Sequence, residues 1–377
     1  MARAPAAAAI EVLPEADRLE GTPHPRETSA LFGHEAAERT LAEGVKSGRI
    51  HHAWLLTGRE GIGKATLAYR FARAALARPE ERDPRGLSLA VGEDTSASRQ
   101  VRALSHPGLL LIRRPYDTKT KRFTASIPID EVRRLRAFLA HRSGEDAWRV
   151  VIVDQANELN VNAANALLKS LEEPPPRTIF LLVSSAPGRL VTTIRSRCRT
   201  LPMQSLSGEA LRAAVAQALA ASDQDAPGAA EWPALERLGE GSVRRLLSLR
   251  GSDGLELHER IATLFANLPK VDWRSVHVLA DELQPAAAQQ RFELFFDLFF
   301  DYLARLVRAQ AADEGTPEER ALYAHLIGEA RLASFAGLWE RVAREKAQTL
   351  ALNLDRKSLI IETVGALVSA AQDRKSA

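Results

Sequence analysis

A chain of 377 residues has length for two or three domains, and its 45% hydrophobic and 26% charged residues exclude a disordered or fibrous chain. No apolar run approaches the ~20 residues of a bilayer-spanning helix, and a net charge of +3 permits nucleic-acid contact without arguing for it. The one cysteine, Cys198, excludes an internal disulfide and a multi-cysteine zinc module. With no apolar stretch behind a basic start, the expected compartment is the cytoplasm, with no membrane partner.

Residues 1–28 are rich in Ala, Pro and Glu without a sustained period, which predicts a disordered or loosely docked arm. Leu31 to Gly48 reads as a short helix. His51 and His52 read as a polar turn, since no further ligands stand at metal spacing. The apolar run Ala53 to Leu56 then predicts a buried strand, and Leu67 to Leu76 a helix.

Between them lies GREGIGKAT, Gly58 to Thr66. It matches the phosphate-binding pattern G-x-x-x-x-G-K-[ST] at every fixed position but the last, where Ala65 replaces the hydroxyl residue. A strand, a glycine loop carrying Gly58, Gly61 and Gly63, and a helix N-terminus together point backbone N–H groups at an anion. Lys64 is then in reach of the outer phosphates. Thr66 is the nearest remaining hydroxyl.

Residues 78–98 lack a clear period and read as a surface excursion. Leu109 to Ile112 and Phe123 to Ile127 flank a charged turn, which predicts a β-hairpin with Lys119, Lys121 and Arg122 at its tip. A solvated turn is favoured there over a nucleic-acid contact. Asp130 is placed to cap a helix with Val132, Leu135, Phe138 and Leu139 on one face.

Arg149 to Asp154 is a continuous β-branched run ending in an acid, as in a fully buried parallel strand. At the carboxyl edge of a sheet, Asp154 would face the glycine loop, where an acid can hold a hydrated magnesium ion. The next residue, usually a water-orienting glutamate in a hydrolysing enzyme of this class, is Gln155, whose amide is no general base. Ala163 to Glu173 is helical and is stopped by Pro174 to Pro176. Thr178 to Ser185 is a further buried strand, and its terminal Ser184 and Ser185 are placed to bond a γ-phosphate or its attacking water, with a plain strand end satisfied by its neighbours as the other reading of Ser184. Arg195, Arg197 and Arg199 crowd one turn, which taken alone reads as a solvated or ion-paired edge.

From Ser205 onward the pattern is almost wholly helical, with breaks at 223–228, 239–241, 251–254 and Pro269. Its most amphipathic stretch, Arg291 to Arg308, lines Phe292, Phe295, Phe296, Phe299, Leu303 and Leu306 on one face, which predicts a core helix.

Three segments resemble AAA+ clamp-loader subunits: HAWLLTGREGIGKATLA at 52–68, VVIVDQANELNVNAANALLKSLEEPPPRTIFLLVSS at 150–185 and TTIRSRCRTL at 192–201. Within that family the chain is most similar to the delta-prime branch. The resemblance implies an α/β P-loop AAA+ domain, a parallel sheet flanked by helices, over 29–205. A helical lid over 206–265 and an all-α collar over 266–377 would follow. It assigns Gly58, Gly63 and Lys64 to Walker A, with Gly61 and Thr66 as further nucleotide-binding candidates, Asp154 to Walker B and Ser185 to sensor 1. Arg244, in Gly241-Ser242-Val243-Arg244, falls on the lid's sensor 2, and Arg197 on an arginine finger acting on a neighbour's ATP. The expected ligand is ATP or ADP with Mg2+, and no zinc, because the four-cysteine module common in the family is missing. The implied partners are gamma/tau and delta subunits, with the sliding clamp and primed DNA met through the assembly.

Ala65 and Gln155 each weaken hydrolysis, so the sequence favours a stator within a DNA polymerase holoenzyme. Two alternatives are an ATP-hydrolysing gamma/tau-type motor and an autonomous nucleic-acid-binding P-loop protein.

Overall fold

The computed structural model describes residues 13–140, 147–251, 253–312, 328–352 and 354–372, and divides into two compact units, Met1–Leu246 and Leu247–Ala377.

The first unit is built on five parallel strands: β1 (Ala53–Thr57), β2 (Leu109–Ile112), β5 (Arg149–Val153), β6 (Thr178–Ser184) and β7 (Arg199–Pro202). Their order across the sheet is β2-β5-β6-β1-β7. Alternation along each strand sends side chains to opposite faces. Trp54, Leu56, Ile152, Leu181 and Val183 pack with α1 (Glu35–Ser47) and α2 (Lys64–Leu76). Leu55, Val151, Val153, Phe180 and Leu182 pack with α4 (Ile129–Ala140) and α5 (Val161–Glu172). Both faces are covered, which is why these strands read as unbroken apolar runs.

Two expectations are corrected here. Leu109 to Ile112 is no hairpin arm: with Leu109, Leu110 and Ile112 buried, it pairs in parallel with β5, register Ile112 to Val153. The hairpin exists but is shorter, β3 (Tyr116–Asp117) against β4 (Arg122–Phe123). Asp130 lies inside the first turn of α4 rather than at its cap, and forms an ion pair with Arg133 at 2.7 Å.

The expected loose arm also differs. Residues 1–12 lie outside the described residues, but the chain from Leu13 to Thr28 is a strap docked through charges. Fully buried His24 has its Nε2 2.9 Å from an oxygen of Asp17, whose side chain is 3% exposed. Arg113, just beyond β2, pairs with Asp17 at 2.5 Å and with Glu15 at 2.6 Å. Pairing of this kind leaves no apolar periodicity to read.

Beyond β7 the first unit continues through α7 (Gly208–Ala220), α8 (Trp232–Gly239) and the start of α9 (Val243–Gly251), so the boundary between the units falls inside the segment read as the lid. The second unit contains α10 (Gly254–Ala266), α11 (Trp273–Leu283), α12 (Gln289–Ala312), α13 (Gly328–Leu352) and α14 (Arg356–Gln372). The aromatic face of α12 is its core: Phe292, Phe295, Phe296, Phe299, Leu303 and Leu306 are all buried. Phe292 meets Phe296 edge to face with ring centroids 5.0 Å apart. Residues 313–327, within the expected collar, lie outside the described residues.

Phe180 is fully buried on the central strand β6. Phe180→Ala is expected to cost ~3–5 kcal/mol, seen as a lower urea midpoint for unfolding of the sheet; a loss below ~1 kcal/mol would contradict this packing.

Candidate phosphate cradle and arginine edge

Because all five strands run the same way, the loops after β1, β2, β5 and β6 leave from one edge of the sheet. The loop after β1 is tightly constrained. Gly58 has φ 140°, and a Cβ there would lie 2.2 Å from the carbonyl oxygen of Met203; Gly61 has φ 74°, and a Cβ would lie 2.4 Å from both Arg244 Cβ and Ser242 Oγ. These glycines let the loop lie against β7 and the start of α9. Gly63, also at positive φ, caps α2, whose first residue is Lys64.

Lys64 is 5% exposed, and its ammonium group donates to the carbonyls of Gly58, at 2.8 Å, and Arg59. Burial pulls its pKa down to about 8, against the opposing pull of Glu60 and Asp154. Asp154 follows β5 and is likewise buried; its carboxylate accepts from the Gln155 N–H at 3.0 Å. Burial pushes its pKa up to about 7, and the nearby Asp17 carboxylate adds to the rise.

At the end of β6 the two serines form an amide network. Ser184 Oγ and the Ser185 N–H both donate to Asn157 Oδ1, at 3.0 and 3.2 Å, and Ser185 Oγ donates to Gln155 Oε1 at 3.3 Å. Gln155 sits at φ 52° on the turn that delivers it to this edge. Its amide oxygen therefore holds a serine in place and activates no water. Arg244 reaches the same region from the first turn of α9: its Nε is 3.4 Å from Glu60, its Nη1 donates to the Asp17 carbonyl at 3.4 Å, and the neighbouring Val243 N–H donates to Gly61 at 3.0 Å.

Thus Gly58, Gly61, Gly63, Lys64, Thr66, Asp154, Ser185 and Arg244 come to one edge. Arg197 does not. It stands just before Arg199, which is in register with Trp54 near the start of β1, so Arg197 lies off the amino-terminal edge, a strand of five residues away, or about 16 Å. Its guanidinium is held at the surface by Glu172 at 2.7 Å and by the Thr193 carbonyl at 2.9 Å. Nearby Cys198 is half-buried, and burial pushes its thiol up to about 11.

Asn157, Asp17, His24 and Arg113 were not singled out from sequence. The spacing of acids with bases over 15–27 was the available signal for the strap.

The cradle suits an anion, with backbone N–H groups at a helix start and a buried ammonium. Ala65 offers no hydroxyl oxygen to a magnesium ion, and Asp154 would be the acid beside one.

Between pH ~4 and ~7 the folded chain holds a proton on Asp154 that an unfolded aspartate releases, so this residue's contribution to stability falls as pH rises through that window. Lys64 acts the other way between about 8 and 10.5, where the unfolded chain binds the extra proton and stability rises with pH. Asp154→Asn is expected to flatten the descent from pH 4 to 7 and to be the more stable form at pH 7 by on the order of 1–3 kcal/mol. Urea unfolding at pH 5 and pH 7 checks this; an unchanged slope would contradict it.

A family model described as DNA polymerase III, delta subunit, matches residues 33–207. A DNA polymerase III subunit delta' of Pseudomonas aeruginosa is 29% identical over 316 residues, covering 82% of this chain and 89% of that protein. A tau/gamma subunit of Haemophilus influenzae is 29% identical over 232 residues, covering 60% of this chain and 30% of that subunit. A gamma/tau subunit of Mycobacterium tuberculosis is 30% identical, over 36% of its length, so the chain spans about a third of those longer relatives. A solved gamma subunit-related protein of Thermotoga maritima aligns with TM-score 0.40 and 16% identity, over 89% of this chain and 99% of that one; the strand order, rather than this likeness, carries the fold. Through that family model, over residues 33–207, and through both kinds of subunit, the chain is similar to AAA+ clamp-loader subunits.

Proposed function

We propose that the chain is a delta-prime-type stator of a DNA polymerase III clamp loader. It keeps a phosphate cradle that can hold ATP or ADP without cleaving it, and lends Arg197 to the ATP site of an adjacent gamma/tau-type subunit. In this way it supports ATP-dependent loading of a sliding clamp onto primed DNA, with a delta subunit and the helical collar completing the assembly.

The observation that carries this reading is the position of Arg197 on the sheet edge opposite the cradle. A guanidinium there cannot reach a phosphate held by its own Lys64, yet it is exposed to a neighbour. Its partner Glu172 is itself 47% exposed, and such surface pairs are worth only ~0–1 kcal/mol, so a phosphate can displace the carboxylate at small cost. The chain's own site supports the same division of labour, because Ala65 and Gln155 lack the groups that place magnesium and water. A positive charge set against the developing charge on a γ-phosphate can accelerate its transfer by ~10³-fold or more.

Arg197→Ala should fold and assemble normally while lowering ATP turnover at the site it serves by ~10³-fold, measured as ATPase of the reconstituted complex. Full turnover in a complex built with that variant would remove Arg197 from the mechanism. A motor role for the chain itself is disfavoured by the Ser185 to Gln155 bond, which occupies the amide where a base would act.

A further inference from the structure

The strap from Leu13 to Thr28 touches both the sheet domain and the helices that follow it. On the sheet side, Arg113 pairs with Asp17 and Glu15, Arg73 donates to the Thr28 carbonyl at 3.0 and 3.1 Å, and Arg26 donates to the Arg102 carbonyl at 2.8 Å. On the helical side, Gln224, beyond the turn that follows α7, donates to the Gly21 carbonyl at 3.0 Å, and Arg244 donates to the Asp17 carbonyl at 3.4 Å. Gln217 of α7 reaches Oγ of Ser29, the residue after the strap, at 3.5 Å. Direct contacts also join the glycine loop to the following helices: the Val243 and Arg244 N–H groups donate to the Gly61 carbonyl at 3.0 and 3.5 Å, Arg59 pairs with Glu240, and Arg244 with Glu60.

We propose that the strap is a built-in fastener that closes the helical lid over the phosphate cradle without requiring nucleotide. Asp17 is its node. One oxygen takes Arg113, the other faces His24, and the backbone carbonyl takes Arg244, so one residue joins the β2 loop, the strap and the first turn of α9. His24 is held on both sides: its Nδ1 accepts from the Arg26 N–H at 3.0 Å, its Nε2 lies 2.9 Å from Asp17 and 3.4 Å from Arg113 Nη1, and its ring meets Tyr69 of α2 edge-on at 5.6 Å. Opening the lid would pull the Arg244 and Gln224 side chains from the strap, freeing them to water, or pull Asp17 away from a buried histidine and an arginine, which would leave buried charges unpaired. The fastening shares Arg244 with the cradle edge but needs no bound phosphate, so exchange measured without nucleotide tests it separately from the nucleotide reading.

Hydrogen–deuterium exchange on the full chain without nucleotide tests it. In the parent protein, residues 239–246 should exchange slowly, and adding ATP should change their rate by less than about two-fold. Asp17→Asn should speed exchange of both 13–28 and 239–246 by about ten-fold or more, with β5 and β6 unaffected. An unchanged rate at 239–246, whether or not the strap opens, overturns the proposal, as does a parent protein in which that segment becomes protected only when ATP is added. Should Asp17→Asn loosen β5 and β6 as well, the surface variant Gln217→Ala/Gln224→Ala decides: a rise of a few-fold at 239–246 supports the fastener, and no rise overturns it.

Discussion

A charge buried in a protein has to be answered by another group, and the carboxyl edge of this sheet is where that requirement is most concentrated. Lys64 is answered by carbonyls of its own loop, Asp154 by one backbone N–H and by partial protonation, and Asp17 by His24 and Arg113. Removing any of these partners strands a charge away from water at a cost of several kcal/mol. The docking of the strap, the closeness of Arg244 to the loop and the raised Asp154 carboxyl all follow from this arrangement. The glycines of the loop serve it too, since a side chain at Gly58 or Gly61 would collide with the segments that close over the site.

The parallel sheet sets the second constraint. Strands aligned in one direction collect the candidate phosphate-binding groups at one edge and leave the Ser196-Arg197-Cys198 turn at the other. Within a single chain of this topology the cradle and Arg197 never meet. In the proposed assembly, two chains supply what one cannot, and the losses at Ala65 and Gln155 are tolerated because cleavage takes place next door.

Much of the first unit was legible from sequence because local chemistry and fold agree there. The runs AWLL, VVIV and IFLLV are apolar at every step, which only a sheet covered on both faces requires, and the glycine loop has a backbone geometry few residue types permit. The aromatic stripe of α12 was legible for the same reason, its period matching the buried face. The strap was not. Its hold comes from ion pairs across nearly a hundred residues of sequence, Asp17 to Arg113, and long-range charge pairing leaves no period. The run at Leu109 misled because an apolar tetrad flanked by turns suits a hairpin arm as well as a central strand; only pairing with β5 separates the two. Asn157, lying in a polar turn, carried no signal beyond its neighbours, although it organises both serines.

The central claim is that this chain retains the shape of a nucleotide site while leaving hydrolysis to a neighbour. Magnesium-dependent ATP turnover by the purified chain alone tests it most directly, with Lys64→Ala as the control. The account predicts no turnover above that of the variant; robust turnover abolished by Lys64→Ala would contradict it and make the chain a motor in its own right.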